Sequence, residues 1–218
     1  METKNLEGLH PIEYEHPFDQ KALNALQNMP GLDVIIRKFN STAVEPLIKI
    51  QYTGSHTQIT KEFYPKIYNI LDQACSILNL ESRPLFYTQR DDEIDAFTIG
   101  VENPIIILNT GAIELCSEDE LLFIMGHEIG HIKSRHTLYH QVGEFLPVMA
   151  DFITGLGSLV TFPLQLALFR WARMSEFTAD RAGLLACQNF ASACRLMMKA
   201  AGVPSNYYDE MQIEAFIA

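Results

Sequence analysis

The chain has 218 residues, of which 48% are hydrophobic and 20% are charged. These values are typical of one globular domain and argue against a disordered chain. The formal net charge of −11 argues against a nucleic-acid partner, because such a chain has no excess of basic side chains to neutralise phosphates. It also argues against binding to an anionic membrane surface by charge alone.

The N-terminal quarter carries little functional information. Residues 1–18 contain Pro11 and Pro17, which predict an extended arm on the surface. They have no basic start followed by an apolar run, so they do not predict a secretory signal. A helix is predicted from Asp19 to Met29, and Thr53-Gly54-Ser55 predicts a turn. We therefore separate residues 1–57, an N-terminal arm with helices that is a candidate pro-segment or appendage, from a domain of residues 58–218.

The cysteines bear on the cellular compartment. None of the four lies in a closely spaced pair, so we interpret them as free, buried thiols in a reducing compartment and not as disulfides or metal ligands. Free thiols and the lack of a secretory signal together predict a cytoplasmic location. Peripheral contact with a membrane stays open, because the cysteines do not bear on it. The four are Cys75, Cys116, Cys187 and Cys194.

The middle of the chain predicts a helix followed by a small sheet. Apolar residues keep helical spacing from Gln58 to Leu80, with Pro65 marking either a kink or the start of the helix. Three short strand-like runs follow, and a small sheet packed against the next helix makes an α+β architecture that is mostly helical. The runs are Pro84–Thr88, Asp95–Gly100 and Pro104–Asn109.

The strongest functional signal lies in Ser117–Thr137, which predicts one amphipathic helix. Its first residue and Glu120 have the spacing of a capping box. Inside it, His127 and His131 are four residues apart, so that both imidazoles lie on one face of the helix and can hold one metal ion. Glu128 projects beside that ion.

This arrangement is typical of a zinc hydrolase. The imidazoles bind the ion, an open coordination position takes a water molecule, and a carboxylate removes a proton from the water. The alternative is a helix with two solvated histidines, so a third ligand elsewhere is the test of the interpretation. Beyond His131 the sequence predicts a solvated, basic helix end that contains Lys133, Arg135, His136 and His140.

Residues 152–169 contain no charged side chain and reach the lower length limit of a membrane span. A single span here would place the two helices that flank it on opposite sides of a bilayer, and these helices could then not share the metal site proposed below. The stretch is also too short for two spans of about 20 residues each. We therefore expect no transmembrane span. A hairpin broken by Gly155, Gly157 and Pro163 is predicted, packed beside the site or touching a membrane from one side.

The third ligand is expected on a helix predicted from Trp171 to Cys187. Glu176 and Asp180 are four residues apart on one face of it. Glu176 would complete a set of two histidines and one glutamate around the metal. Asp180 would accept a hydrogen bond from the free N–H of a ligand histidine, for which we choose His127. The alternative is an acidic pair that faces solvent beside two arginines.

The sequence resembles the gluzincin zinc endopeptidases that include HtpX and the CaaX prenyl endopeptidase. The likeness is strongest at Gly126–His131 and Ser175–Asp180. Asp95–Gly100 and Ile107–Gly111 also resemble the strand and the turn that precede the motif helix in that family. The resemblance extends from about Gln58 to Ala201.

The resemblance implies a complete zinc site with one Zn²⁺ per chain. It implies that His127, His131 and Glu176 bind the ion, that Glu128 is the catalytic base and that Asp180 holds a ligand histidine. The activity it implies is zinc-dependent hydrolysis of peptide bonds, in a protein or peptide substrate.

The resemblance also implies a substrate-binding strand. Ala96, Phe97 and Thr98 are similar to an edge strand that pairs with an extended substrate. An unpaired edge recognises peptide backbone by strand addition.

Two departures from the family pattern stand out. Asp95 replaces the usual Asn, and no histidine follows His140 to donate a hydrogen bond to the oxyanion, so that donor stays unidentified. The candidates are Arg173, Arg195, Tyr207 and Tyr208. Two other functions therefore stay open: a zinc-bound scaffold without activity, and a self-inhibited precursor whose N-terminal arm or acidic C-terminal segment occupies the cleft.

Overall fold

The computed structural model of the protein describes residues 3–28, 34, 37–38, 40–141, 143 and 158–217. Its helices are α1 (Pro17–Gln27), α2 (Glu45–Ser55), α3 (Pro65–Ile77), α4 (Thr110–Leu115), α5 (Glu118–Lys133), α6 (Ser158–Cys187), α7 (Phe190–Ala200) and α8 (Ile213–Ile217). Its strands are β1 (Thr57–Gln58), β2 (Leu85–Gln89), β3 (Ala96–Ile99) and β4 (Ile105–Asn109).

The strands form one small mixed sheet in the order β1-β2-β4-β3. Strands β2 and β4 are parallel, while β1 and β3 pair antiparallel with their neighbours. Every residue of β4 is buried, because the core packs around this strand. Strand β3 is at an edge and packs against α5. The predicted architecture, mostly helical α+β with an edge strand on the motif helix, is confirmed.

The N-terminal half differs from the prediction at one turn and settles one alternative. Thr53-Gly54-Ser55 does not form the predicted turn, because these residues end helix α2. Pro46 is the second residue of that helix, which directly follows a short π-helical segment, Asn40–Val44. Pro65 marks the start of α3, because Tyr64 before it adopts a left-handed backbone conformation.

Helix α5 begins as the sequence predicts. The hydroxyl of Ser117 accepts a hydrogen bond from the amide of Glu120, and the Glu120 carboxylate accepts one from the amide of Ser117 at 2.7 Å. This is the reciprocal capping box, which fixes the first turn of the helix. The helix ends at Lys133 and not at Thr137, because Arg135 has a φ of +59° and interrupts the α-helical backbone.

The predicted solvated end of this helix is wrong. After this turn a second helical segment follows, 136–141. The side chain of His136 at its start lies in the interior and is 0% exposed. The Lys133 ammonium donates a hydrogen bond to the carbonyl oxygen of Leu9 at 3.1 Å. Lys133 and His136 thus contact the N-terminal segment, whereas Arg135 remains exposed.

Helix α6 replaces the predicted hairpin where the structure describes it. The helix runs without interruption from Ser158 through Pro163 to Cys187, so the predicted break at Pro163 is wrong. The helix continues past the proline although this residue has no amide hydrogen to donate. Gly155 and Gly157 fall outside the described residues. Within the described ranges, no helix is both long and apolar enough to cross a bilayer.

Helices α5 and α6 pack at very close range along a seam of small residues. A β-carbon added at Gly126 would lie 2.3 Å from the β-carbon of Ala186, and one added at Gly130 would lie 2.7 Å from that of Ala182. Separations this short require the backbones to move apart. The glycines therefore set the distance between the two helices that carry the predicted metal ligands.

The Gly126→Ala substitution tests this seam. Alanine favours a helix over glycine by up to about 1 kcal/mol, but here overpacking should outweigh that gain and lower the free energy of unfolding by about 1–3 kcal/mol. Thermal or urea unfolding measures the change. Gly54→Ala in α2 is the matched control, because an added β-carbon there meets no atom within 4 Å, and it should not destabilise. Equal stabilities of the two variants would contradict the role of the seam.

Candidate metal centre and cleft

The three predicted metal ligands lie together between α5 and α6. The Nε2 atoms of His127 and His131 are 3.1 Å apart. Oε2 of Glu176 lies 3.3 Å from Nε2 of His127, and its Oε1 lies 3.7 Å from Nε2 of His131. Among the described residues, these three side chains form the group of histidine, cysteine or acidic residues whose ligand atoms all lie within 4.8 Å of one another.

This donor set fits a tetrahedral zinc ion. Bonds of about 2.0–2.2 Å in tetrahedral geometry place neighbouring ligand atoms about 3.3 Å apart, and the three observed separations lie close to that value. The Nδ1 atoms of His127 and His131 each contact another side chain, so both Nε2 atoms are left to face the Glu176 carboxylate. Two nitrogen lone pairs and a carboxylate that converge in this way are stabilised by a cation.

Asp180 lies beside His127, the ligand histidine that we chose as its partner from the sequence. Nδ1 of His127 lies 3.0 Å from Oδ1 of Asp180, because Asp180 follows Glu176 by one turn of α6. A carboxylate in this position holds the proton on Nδ1 and leaves Nε2 free to bind a metal. The role of Asp180 in metal binding stays a prediction.

Burial and the mutual contacts of the three side chains shift their pKa values in different directions. Burial favours neutral histidine, but the contacts with Asp180 and Glu176 outweigh it and raise the pKa of His127 to about 10. For His131, burial dominates and lowers the pKa to about 3. Burial favours a neutral Glu176, but the two histidines hold its pKa well below the usual range.

Glu128 lies beside the predicted ligands and is hydrogen-bonded to a residue of the sheet. The side chain is 4% exposed, and its Oε2 accepts a hydrogen bond of 2.6 Å from the hydroxyl of Thr98 on β3. Burial raises the pKa of Glu128 to about 7, although His127 and Thr98 act in the opposite direction. A carboxyl group with a pKa near the working pH suits general acid–base chemistry.

A cleft of about 270 Å³ opens over these residues. Strand β3 forms one wall, and all three predicted substrate-binding residues, Ala96, Phe97 and Thr98, line it together with Glu128. Asp95 lies at the same wall. A second, mostly apolar cavity of about 180 Å³ adjoins Glu128 and is also lined by Ile94, Phe123, Ile124, Leu196, Met197 and Ala200.

The oxyanion candidates from the sequence do not contribute to the described lining of the cleft. These were Arg173, Arg195, Tyr207 and Tyr208. His140 lines the cleft instead, with Nε2 2.9 Å from the hydroxyl of Ser175. Sequence reasoning missed His140 because it assumed that the motif helix continued to Thr137. The positive φ at Arg135, which turns this histidine inward, leaves no clear signal in the sequence.

Comparison with known proteins identifies the family. The sequence model of Peptidase family M48 matches residues 65–213. The plastoglobule-localized metallopeptidase 48, chloroplastic, of Arabidopsis thaliana is 28% identical over 207 residues, which cover 94% of this chain and 60% of that protein. The protease HtpX homolog of Burkholderia cenocepacia (strain HI2424) is 26% identical over 175 residues, 67% of this chain and 61% of that protein. The chain thus spans about 60% of the length of these relatives.

Proposed function

The chain belongs to Peptidase family M48, and we propose that it is a zinc-dependent endopeptidase with Glu128 as its general base. The observation that carries the proposal is the convergence of His127, His131 and Glu176 beside a buried carboxylate, at the floor of a cleft walled by an edge strand. The names of the relatives, a metallopeptidase and a protease, support the same activity.

The residues divide the work as follows. His127, His131 and Glu176 would hold the ion, which when bound supplies a positive charge that lowers the pKa of a water molecule and polarises the scissile carbonyl. Glu128 accepts a proton as the water attacks and passes it to the leaving amine. Thr98 directs Oε2 of Glu128 through its hydrogen bond, so the substrate-binding strand also orients the base.

The substrate binds along β3 as an added strand. Among the described residues, β3 pairs only with β4, so its outer edge can form backbone hydrogen bonds with an extended peptide. Recognition of this kind depends on backbone more than on side chains. The apolar cavity beside Glu128 accepts an apolar side chain next to the scissile bond.

A second candidate, a zinc-binding scaffold without activity, is favoured by one observation. Neither tyrosine nor arginine lines the described part of the cleft to stabilise an oxyanion. The buried Glu128 argues against it, because a binding site has no need of a base beside the ligands. The self-inhibited precursor has no supporting contact, since no described residue of the N-terminal arm or of the acidic C-terminal segment, 209–214, lines the cleft.

We also propose a location. We place the protein in an aqueous, cytoplasm-like compartment, with peripheral membrane contact through residues 152–169. Within this range, Leu166 and Phe169 are apolar and exposed on α6. The name of the Arabidopsis relative places that protein at plastoglobules.

Metal removal tests the proposed activity. Purified protein should contain one equivalent of zinc and cleave casein or a peptide library. A chelator should abolish cleavage, and added zinc should restore it, because the ion that His127, His131 and Glu176 would hold supplies the charge that activates a water molecule. Cleavage and metal content are measured on the same samples. Stoichiometric zinc without cleavage of any library peptide would support the scaffold, and cleavage that resists complete metal removal would rule out the proposal.

A further inference from the structure

The N-terminal helix α1 places a carboxylate in the interior of the domain. Asp19 is 1% exposed. Its Oδ1 accepts a hydrogen bond of 2.8 Å from the indole N–H of Trp171, and its Oδ2 accepts one of 2.6 Å from the hydroxyl of Thr178. Both partners are on α6, the helix of Glu176. Oδ2 of Asp19 also lies 3.0 Å from Nε2 of His136. A buried carboxylate is costly unless it is hydrogen-bonded, and each oxygen of Asp19 accepts one of these hydrogen bonds.

His136 connects this carboxylate to a metal ligand. Its Nδ1 lies 3.0 Å from Nδ1 of His131, and His136 itself is fully buried. The contact of its Nε2 with Asp19 is short but bent, since this nitrogen has no well-aligned hydrogen-bond partner. Asp19, His136 and His131 thus form a continuous chain of contacts that ends at Nε2 of His131, the atom that faces Glu176.

The positions of the protons in this chain depend on one another. If His131 binds a metal through Nε2, its Nδ1 carries the proton, and this N–H donates a hydrogen bond to Nδ1 of His136. His136 then carries its own proton on Nε2, which faces Asp19. The arrangement requires an ionised carboxylate there. Burial favours the neutral acid, but the contacts with His136, Thr178 and Trp171 outweigh burial and lower the pKa of Asp19 below its usual value.

We propose that Asp19 and His136 are positioning residues of the metal centre, which fix the orientation and the tautomer of His131. Asp180 makes the equivalent contact with His127 directly, so each ligand histidine has its own carboxylate. The inference rests on the proposed zinc function. The inference also assigns a role at the site to Asp19, which belongs to the N-terminal region 1–57.

The N-terminal arm is attached where this role requires it. The amide of His16 donates a hydrogen bond of 2.9 Å to the hydroxyl of Thr178, and the Arg181 guanidinium donates one of 3.2 Å to the carbonyl oxygen of Tyr14. These contacts hold the start of α1 against α6 on the turns that flank Asp180. The position of Asp19 relative to the ligands is therefore set by the same helix that carries Glu176.

The Asp19→Asn substitution should reverse the direction of the hydrogen bonds that connect residue 19 with His136 and His131. The N–H of Trp171 can only donate, so it keeps the amide oxygen as its acceptor, and the amide nitrogen takes the position of Oδ2, which faces His136. The Thr178 hydroxyl, which donates to Oδ2 of Asp19, then rotates and accepts from the amide nitrogen. His136 then accepts at Nε2 and donates from Nδ1, which forces His131 to carry its proton on Nε2 and opposes metal binding. We expect zinc affinity to fall by about 10–100-fold, measured by competition with a chelating dye at constant pH.

Trp171→Phe is the matched control. It removes a hydrogen bond from the same carboxylate but leaves the ionised group opposite His136. It should lower the thermal midpoint of the metal-free protein as much as Asp19→Asn or more, and it should leave zinc affinity near that of the wild type. Equal zinc affinities of the two variants would overturn the proposal, because the effect would then be structural.

A second pair of variants keeps the proposal testable if Asp19→Asn does not fold. His136→Leu should weaken zinc binding, whereas His136→Gln should restore much of it, because an amide can accept from His131 and donate to Asp19. In the cobalt-substituted protein, the visible spectrum should change for His136→Leu alone. Equal affinities of both variants and the wild type would overturn this inference only. A wild-type protein that binds no zinc would overturn the proposed function as well.

Discussion

Replacing Glu128 by glutamine is expected to reduce peptide hydrolysis by about 10²–10⁴-fold while one equivalent of zinc remains bound. The amide has the shape of the carboxylate but cannot accept the proton of the attacking water. Glu128 is not part of the group whose ligand atoms converge, so metal binding does not depend on it. The measurement is cleavage of a fluorogenic peptide together with the zinc content of the same preparation.

The Glu118→Gln substitution provides the control for this experiment. Glu118 is on the same helix, α5, but it is exposed in the first turn, so its loss should leave hydrolysis and zinc content unchanged. Equal hydrolysis by wild-type and Glu128→Gln protein, with zinc present in both, would eliminate Glu128 as the base. Loss of zinc from Glu128→Gln protein would show that the carboxylate supports the metal and does not act in catalysis alone.

Local patterns made the centre of the site predictable. The capping box at Ser117 fixed the register of α5, and spacings of four residues then placed His127 with His131 and Glu176 with Asp180 on common faces. Helical periodicity and strand length depend on residues that are close in sequence, which explains why β3 and β4 were also found within one or two residues of their observed ends.

The surroundings of the site could not be predicted, because they depend on contacts between distant segments. Nothing around Asp19 distinguishes it from a helix-capping residue until α1 packs on α6. The inward position of His136 depends on a positive φ at Arg135, a conformation that arginine has no particular tendency to adopt. A proline within a run of helical spacing, as at Pro163, likewise predicts a break when only the sequence is known.

Glu176 is the ligand whose loss should have the largest effect on the metal. Glu176→Ala leaves two imidazoles to hold the ion, so zinc affinity should fall by more than the roughly 10–100-fold that losing a supporting partner costs. Asp180→Asn provides that comparison, since it alters only the contact with Nδ1 of His127. Alanine is a strong helix former and Glu176 is half exposed, so the metal-free fold should persist, which circular dichroism measures.

The expected order of zinc affinity is wild type, then Asp180→Asn, then Glu176→Ala, by dye competition. Glu176→Ala protein that kept one tightly bound zinc would contradict Glu176 as a ligand and would point to His140, whose Nε2 lies 3.9 Å from Oε1 of Glu176. A double variant, Glu176→Ala with His140→Ala, separates these cases. If Glu176 is the ligand, adding the second change lowers zinc binding little further; if His140 has replaced it, only the double variant loses the metal.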